Sequence, residues 1–390
     1  MRVRVGYFAA NTGSMAPHLR TASATLMRNA GENLGNLVFW HAVRRMFDNE
    51  VVLVDWNARA ADIAGQFDHL VIPAANFLNP HWDFGPQARM IEDLGHELVV
   101  FGLGAQSEHE GEKLVLQAGS VRFLKAVSAH CRTIFVRGDY TAEVCASYGV
   151  KNVQPIGCPS ITLSDDLELG RTLQARGREP VSSLYVSGAV LKGNTRAAER
   201  VLYREVLARP GSSFVLQQPT ELIEMAAGMR IRPRRLTDAL QFHDFFDPTA
   251  SFQQFYRDFV RVARWYGDVP TWLQEAATHS HSVNTRMHGA IMSLTAGVPT
   301  VILAHDARIR ELCRIMCLPH VDPADLGDAL DDLDGPFAGV PFDAGRFDRR
   351  RAEIARVYSD YLTGAGLTVS ATLARLAQGA VIRAEEPMPA

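Results

Sequence analysis

An arginine and a histidine, two residues apart, open the segment of this sequence with the clearest chemistry. Arg286 and His288 lie in SVNTRMHGAIMSLTAGVPTVILA (Ser282–Ala304), which predicts a strand, a polar turn and a helix that begins near Arg286. The first turn of a helix has unpaired N–H groups and a partial positive charge, which suit phosphate. Arg286 adds a guanidinium for oxygen contacts, and His288 can donate to phosphate or move a proton near neutral pH. Taken alone, each residue is explained equally well by an ion pair or an internal hydrogen bond.

Turn residues in the first half of the chain form a second group of candidates. They follow predicted strands or begin a helix, and they are Asn36, Gly104 and Gln106 in the turn GLGAQ, and Ser160 in the turn GCPS. Ligands of open parallel sheets bind outside the carboxyl ends of the strands, so these turns are expected to approach one cleft. GLGAQ departs from the G-x-G-x-x-G pattern, so a dinucleotide site is not predicted. Each segment taken separately is better explained as a tight turn.

Two further cations lie in loops that follow predicted strands. Arg137 precedes Gly138 and Asp139, and it is a candidate for the cleft or for a surface ion pair with Asp139. Lys192 belongs to the loop SGAVLKGNTR, which fits phosphate or sugar hydroxyls and is explained equally well as a solvated loop. His279 and His281 alternate along a predicted strand and would point to opposite faces, so no metal pair is predicted.

Two series of alternating strands and helices are expected to position these residues. The predicted strands lie near Val3–Phe8, Val51–Val54, His69–Ile72, Leu98–Gly102, Thr133–Val136, Val153–Ile156, Ser182–Ser187, Ser213–Leu216, His279–Val283 and Thr300–Ala304. The predicted helices lie near Leu34–Phe47, Glu110–Ala129, Tyr140–Tyr148, Thr195–Leu207, Thr220–Ala227, Phe252–Tyr266, Met287–Ala296 and Ala307–Cys317. The polar segment Ser164–Pro180 is predicted to link the two series, and a helical pattern returns from Asp343 to Gln378.

The predicted fold class is therefore α/β, with two Rossmann-like domains that face a cleft. The N-terminal domain is expected to span residues 1–165 and to hold the acceptor. The C-terminal domain, residues 181–342, is expected to bind the phosphate of the donor. A helix at residues 343–378 is expected to cross back to the first domain.

The composition narrows the classes of protein. A chain of 390 residues with 47% apolar and 21% charged residues is globular and long enough for two domains. A net charge of -3 without a basic segment argues against a nucleic-acid partner. The longest apolar runs are strand-sized, so no transmembrane segment is predicted. Five cysteines without a CxxC pair argue against disulfides and zinc and favour the cytoplasm.

The candidate segments together resemble the polysaccharide pyruvyl transferase family. The resemblance rests on motifs in the family's order: ENLGN (Glu32–Asn36), GLGAQ (Gly102–Gln106), FVRGDYTAEVCASYGV (Phe135–Val150), IGCPS (Ile156–Ser160) and TRMHGAIMSLTAGVPTVILAHDARIRELC (Thr285–Cys313). The family's early Asn–Gly–Asp element appears here as Gly35-Asn36. Its Arg–Asp/Glu–x–x–Ser element appears as Arg137-Gly-Asp-Tyr-Thr141.

The resemblance implies a glycosyltransferase-B-like fold and a reaction. Members transfer the enolpyruvyl carbons of phosphoenolpyruvate to two hydroxyls of a sugar and make a cyclic ketal. The expected acceptor is a cell-surface polysaccharide or its lipid-linked precursor, which would allow peripheral contact with a membrane. The resemblance implies no metal, and no cofactor besides the donor substrate.

The resemblance also implies roles for the candidate residues. Arg286, the backbone of Met287 and His288 would hold the donor's phosphate, with Arg137 and Lys192 as further cations. His288 and Asp139 are the expected catalytic residues, and His288 is the expected proton donor or relay. The remaining donor or substrate contacts are expected from Asn36, Gly104, Gln106 and Ser160.

Two other functions stay open at this point. A glycosyltransferase of the same architecture would use a nucleotide sugar, and Asp306 lies where its ribose-binding carboxylate is expected. A non-catalytic sugar-binding or scaffolding protein would instead bury Arg286 and His288 in internal ion pairs.

Overall fold

Strands from the first part of the chain form a parallel sheet. The computed structural model of the protein describes residues 3–13, 23–106, 113–229, 233–323 and 339–384. Over these residues the sheet has the spatial order β2-β1-β3-β4-β5-β6. Its strands are β1 (Arg4–Tyr7), β2 (Glu50–Leu53), β3 (His69–Pro73), β4 (Glu97–Leu103), β5 (Cys131–Val136) and β6 (Val153–Pro155). The central strands are continuous apolar runs, as expected for a parallel sheet that is covered on both faces.

A second parallel sheet follows, with the order β12-β11-β10-β7-β8-β9 over the described part of the chain. Its strands are β7 (Leu184–Ser187), β8 (Ser213–Val215), β9 (Ala263–Arg264), β10 (His281–Asn284), β11 (Thr300–Leu303) and β12 (His320–Val321). Two such sheets with a cleft between them confirm the predicted fold class, α/β with two Rossmann-like halves in a glycosyltransferase-B-like arrangement. The domain boundaries at residues 165, 181 and 342 stay a prediction.

Helices connect the strands in both halves. In the first half they are α1 (Ser23–Asn29), α2 (Asn36–Arg44), α3 (Ala60–Ile63), α4 (Gly85–Leu94), α5 (Ala118–His130) and α6 (Asp139–Ser147). The remaining helices are α7 (Leu169–Arg176), α8 (Arg196–Ala208), α9 (Thr220–Ala226), α10 (Leu236–Phe246), α11 (Phe252–Val262), α12 (Val269–Ala276), α13 (Met287–Thr295), α14 (Ala307–Met316), α15 (Ala344–Gly364) and α16 (Ala371–Ala384). Each helix in the described ranges is too short or too polar to cross a lipid bilayer.

Three expectations about elements are corrected. The segment expected as a polar linker contains α7, because Leu169 and Leu173 share one buried helical face despite the charged residues around them. His279 precedes β10 rather than lying in it, and its Nδ1 is 3.0 Å from the carbonyl oxygen of Glu275. The predicted start of α5 falls partly on residues 107–112, which lie outside the described residues, and residues 113–117 are not helical.

Helix α15 lies against the first sheet. Tyr358 of α15 is fully buried, and its ring centroid is 5.1 Å from those of Phe101 and Phe135. Arg351, also fully buried, donates to the carbonyl oxygens of Ser164 and Asp166 at 2.8 Å. Helix α15 therefore covers a face of the sheet that begins the chain.

A contact between the halves is made at the start of α6. The backbone N–H of Tyr140 donates to Oε1 of Glu311, a residue of α14, at 2.6 Å. A Cβ at Gly138 would lie 2.0 Å from the carboxyl carbon of Glu311, so this approach requires glycine. A carboxylate from the second half thus satisfies an unpaired N–H group of a helix in the first half.

Candidate functional site

A cleft of about 680 Å³ lies between the two halves. It is lined by turns at the carboxyl ends of strands and by the starts of α2, α13 and α14. Seven of the predicted site residues line it: Asn36, Gln106, Arg137, Lys192, Arg286, Met287 and His288. The structure therefore brings together candidates that are up to 252 positions apart in the chain, as the strand-end rule requires.

Three predicted site residues do not line this cleft. Asp139 is exposed at the first position of α6, so the structure does not bring this predicted catalytic carboxylate to the cleft. Gly104 is buried behind Arg137, where an added Cβ would lie 2.9 Å from Cδ of Arg137. Ser160 is fully buried and donates to Sγ of Cys158 at 3.0 Å, so it reaches the cleft only through Cys158. Glu32, the other carboxylate considered for proton transfer, does line the cleft.

Arg286 is the N-cap of α13, and backbone oxygens hold its guanidinium. Nε donates to the carbonyl oxygen of Gly188 at 2.9 Å, and Nη2 donates to that of Ala189. With its amide oxygen turned toward Arg286, Gln218 accepts from Nη1 at 2.9 Å. The edge formed by Nε and Nη2 therefore already donates to protein oxygens. Through this edge Arg286 cannot make the expected contact with two phosphate oxygens. Burial lowers the pKa of Arg286 to about 10.

The loop that Arg286 anchors has a second support that the sequence did not reveal. Glu199 is fully buried and accepts from the N–H groups of Ala189 and Val190 at 2.9 and 3.1 Å. It also accepts from the hydroxyl of Thr285 at 2.6 Å. Ala189 has a φ of 64°, a left-handed conformation that is costly for a residue with a Cβ and that surrounding contacts must hold. Glu199 therefore fixes this loop against the start of α13.

Close packing brings α13 directly against the second sheet. A Cβ at Gly289 would lie 2.1 Å from Cβ of Ser187, so only glycine permits this approach. No side chain caps the start of α13 among the described residues, and its first-turn N–H groups lie where the cleft is lined by Met287 and His288. Those N–H groups can bind an oxyanion.

Arg137 is the most suggestive cation of the cleft. It is only 6% exposed, its Nε donates to the carbonyl oxygen of Gly102 at 3.0 Å, and its Nη1 donates to Oδ1 of Asn76 at 2.8 Å. Its Nη2 is buried without a hydrogen-bond partner in the described structure. Burial lowers the pKa of Arg137. An orphaned guanidinium N–H in a cleft is a costly feature that an anionic ligand would relieve.

His288 lies beside Arg137 and is held by contacts with the first half. Its ring packs on Phe39 of α2 with centroids 5.5 Å apart, and its Nε2 is 3.8 Å from Sγ of Cys158. Burial and the positive charges of Arg137 and Arg308 lower the pKa of His288 to about 3. The imidazole is therefore neutral at pH 7.

Arg308 is a cleft cation that sequence reasoning missed. It lines the cleft from the first turn of α14, and its charge lowers the pKa values of Arg137, Arg286 and His288, which places it near all three. It lies in the motif Thr285–Cys313 that carries the family resemblance and follows a strand, so the strand-end rule could have identified it. We call Arg137, Arg286 and Arg308 the cationic cluster.

Asp306 has a structural role at the start of α14. Its Oδ1 accepts from the N–H of Ile309 at 2.8 Å, and its Oδ2 is 3.4 Å from Nη2 of Arg308. Both carboxylate oxygens are therefore engaged within the protein. This arrangement does not favour Asp306 as a ribose-binding carboxylate.

Asn36 and Gln106 also support the architecture. The amide of Asn36 donates to the carbonyl oxygens of Ala30 and Gly31 at 2.9 and 3.3 Å. Gln106 accepts from Nδ2 of Asn79 at 2.9 Å. The described residues contain no group of three His, Cys, Asp or Glu side chains placed to hold a metal ion.

Four aromatic residues of the first half form another part of the lining. We call them the aromatic wall: Trp56, Phe77, Trp82 and Phe84. Their rings touch in sequence, with centroid distances of 5.0 Å for Trp56–Phe77, 5.2 Å for Phe77–Phe84 and 5.8 Å for Trp82–Phe84. Phe77 directly follows Asn76, the residue bonded to Arg137, so the wall adjoins the cationic cluster.

Comparison with known proteins gives one family. The model of the family described as polysaccharide pyruvyl transferase matches residues 33–307, about 70% of the chain. The match includes Arg137, Lys192, Arg286 and His288. No curated protein matches the chain.

Similar solved structures are distant. MnaA of S. aureus with UDP shares 10% identity over 93% of this chain and 98% of that chain, with a TM-score of 0.38. A putative UDP-N-acetylglucosamine 2-epimerase from Listeria monocytogenes shares 11% over 92% and 98%, with a TM-score of 0.39. An α-glucosyltransferase in complex with UDP-glucose and DNA containing an abasic site shares 11% over 92% and 95%, with a TM-score of 0.40.

Proposed function

Since this chain belongs to the polysaccharide pyruvyl transferase family, we propose that it transfers pyruvate from phosphoenolpyruvate to two hydroxyls of a saccharide as a ketal. The observation that carries the proposal is the buried, unpartnered Nη2 of Arg137 beside His288 and the start of α13. The saccharide acceptor, free or linked to a lipid, and a cytoplasmic location are parts of this proposal.

The charge of the donor supports this choice of substrate. Phosphoenolpyruvate carries a phosphate and a carboxylate on one small carbon framework, so it needs several cations within one site. The cationic cluster supplies three guanidinium groups, of which Arg308 is paired with Asp306 and Arg286 is held by backbone oxygens. Within the cationic cluster, Arg137 is therefore the guanidinium left to donate hydrogen bonds to a new oxygen atom, together with the first-turn N–H groups of α13.

The proposed reaction uses His288 as the acid. A proton from His288 adds to the methylene carbon of the donor, and the neighbouring carbon gains cationic character. A sugar hydroxyl attacks that carbon and loses its proton. The bond to the phosphate oxygen then breaks, phosphate leaves with the bonding electrons, and a second hydroxyl closes the ring. Of the two hydroxyl protons released, one restores His288 and one leaves with hydrogen phosphate, so atoms and charge balance.

With a pKa of about 3, His288 would carry no proton to give at pH 7. Bound phosphoenolpyruvate must therefore raise this pKa. The low value comes from burial and from Arg137 and Arg308. A bound anion would offset both positive charges and favour the imidazolium. His288 would then be charged only when the substrate is present, which keeps the acid and its target together.

The test compares the binding of phosphoenolpyruvate with the binding of UDP-glucose. We expect phosphoenolpyruvate to bind the full chain in calorimetry, and UDP-glucose to bind at least tenfold more weakly. Arg286→Lys keeps the charge, but a lysine cannot donate to the carbonyl oxygens of Gly188 and Ala189 together as the planar guanidinium does. This variant is therefore expected to bind phosphoenolpyruvate more weakly than the wild type. Tight UDP-glucose binding without phosphoenolpyruvate binding would refute the proposal and favour a nucleotide-sugar transferase.

A further inference from the structure

The aromatic wall has one member whose exposure is unusual. Trp82 lines the cleft yet is 47% exposed, whereas Phe77 and Phe84 beside it are 4% and 8% exposed. Tryptophan has the largest apolar face of any side chain, and leaving half of it in water gives up much of its burial energy. Among the other residues of the wall, Phe84 contacts Trp82 edge-on, with an angle of 84° between the two ring planes.

The backbone around Trp82 is fixed. The hydroxyl of Ser120 donates to the carbonyl oxygen of Trp82 at 2.6 Å, and Ser120 itself is fully buried. The N–H of His81 donates to Oδ1 of Asn79 at 2.8 Å. The exposed indole is therefore presented on a rigid turn, which lowers the entropy that a ligand must remove when it binds.

Amide side chains are among the polar groups next to the wall. Asn76 precedes Phe77 and accepts a hydrogen bond from Arg137, and Gln106 accepts one from Asn79. Amides both donate and accept hydrogen bonds, as sugar hydroxyls do. An apolar ring face bordered by amides thus matches a pyranose, which has C–H groups on its faces and hydroxyls around its edge.

We propose that the aromatic wall is the acceptor subsite, with one neutral hexopyranose ring stacked on the indole of Trp82. This inference rests on the proposed function and assigns the half of the site that the cationic cluster does not use. Because Phe77 adjoins Asn76 and Asn76 contacts Arg137, a sugar on the wall presents its edge toward the donor. The hydroxyls at that edge are the ones that receive the pyruvyl carbon.

The experiment measures hexoside binding and donor binding separately in the full chain. Methyl α- and β-glucopyranoside, galactopyranoside and mannopyranoside are titrated without phosphoenolpyruvate, so that no transfer takes place, and saturation-transfer NMR reports which ring protons touch the protein. At least one hexoside is expected to bind, and Trp82→Ala is expected to weaken it at least tenfold. Trp82→Phe, which keeps a smaller ring, should lie between the two.

Two controls make the result specific. Trp265→Phe changes a tryptophan that does not line the cleft, so it should leave hexoside binding unchanged. Phosphoenolpyruvate binding should be the same in the wild type and in the Trp82 variants, which also shows that the variants are folded. If phosphoenolpyruvate fails to bind the wild type, the proposed function fails by itself.

Three outcomes would overturn the acceptor subsite while leaving the donor assignment intact. No hexoside binds the wild type although phosphoenolpyruvate does. A hexoside binds Trp82→Ala as tightly as the wild type. Uridine, included as a neutral base that can also stack, binds the wall and displaces the hexoside.

Discussion

Binding of phosphoenolpyruvate should raise the pKa of His288, so that the imidazole takes up a proton from solvent. Burial and the charges of Arg137 and Arg308 hold that pKa at about 3. Raising it to about 7 requires about 5 kcal/mol of extra attraction for the charged imidazole. One negative charge about 4 Å away contributes about 4 kcal/mol at the effective dielectric of a protein site. The phosphate and carboxylate of phosphoenolpyruvate together therefore supply enough.

The assay is titration calorimetry at pH 7 in two buffers that differ in ionisation enthalpy. The slope of binding enthalpy against buffer enthalpy gives the number of protons taken up. The donor's phosphate also exchanges protons, but it does so equally in the wild type and in His288→Gln. The wild type is therefore expected to take up close to one proton more than His288→Gln.

His41→Gln is the matched control. His41 also has a lowered pKa, caused mainly by burial, but it does not line the cleft. Its replacement should leave the proton number of the wild type unchanged. Equal proton numbers in the wild type and in His288→Gln, with donor bound to both, would refute the idea that the donor charges His288.

Three further changes have expected results. Arg137→Met keeps an apolar stem but removes the orphaned N–H, so donor affinity should fall roughly 10- to 100-fold, or about 1.5–3 kcal/mol, in calorimetry. His288 has a folded-state pKa of about 3 against 6.5 for the free side chain, so the unfolded chain takes up the proton first and stability is lost as the pH falls below 6.5. Between pH 7 and pH 5 the wild type should therefore lose about 2 kcal/mol more than His288→Gln in urea titrations. Glu311→Ala removes the cap on α6 and should cost about 1 kcal/mol, whereas Glu311→Gln keeps an accepting oxygen and should cost less in the same titrations.

A specific outcome would contradict each of these three predictions. Wild-type donor affinity in Arg137→Met would show that the orphaned N–H is not used. Identical acid profiles of the wild type and His288→Gln would mean that the imidazole is not desolvated as the structure indicates. Equal losses in Glu311→Ala and Glu311→Gln would point to packing rather than the hydrogen bond to Tyr140.

Much of the fold could be predicted because buried parallel strands have continuous apolar sequences. The strand predicted at His69–Ile72 is found at His69–Pro73. The edge strands Ala263–Arg264 and His320–Val321 were missed because two residues give no periodicity. Helix α7 was missed because its apolar face is only two turns long and lies among charges.

The site was predictable where a residue follows a strand, and less so where its role depends on a distant partner. Arg137 and Arg286 were found by position, but their hydrogen bonds to Asn76 and Gly188 join separate segments. Asp139 does not line the cleft, because sequence neighbours of Arg137 need not share its direction and the first position of α6 points to water. No local pattern marks Glu199, whose partners lie in another loop.

The C-terminal helices have a consequence for how the chain is synthesised. Phe101 and Phe135 leave the ribosome early, but Tyr358, which covers them, is made more than 200 residues after Phe135. At about 5–20 residues per second, that face of the nascent sheet stays open to water and chaperones for roughly 10–45 s. The first half therefore cannot complete its fold before α15 has been synthesised, and a release of the chain before α15 would leave an aggregation-prone fragment.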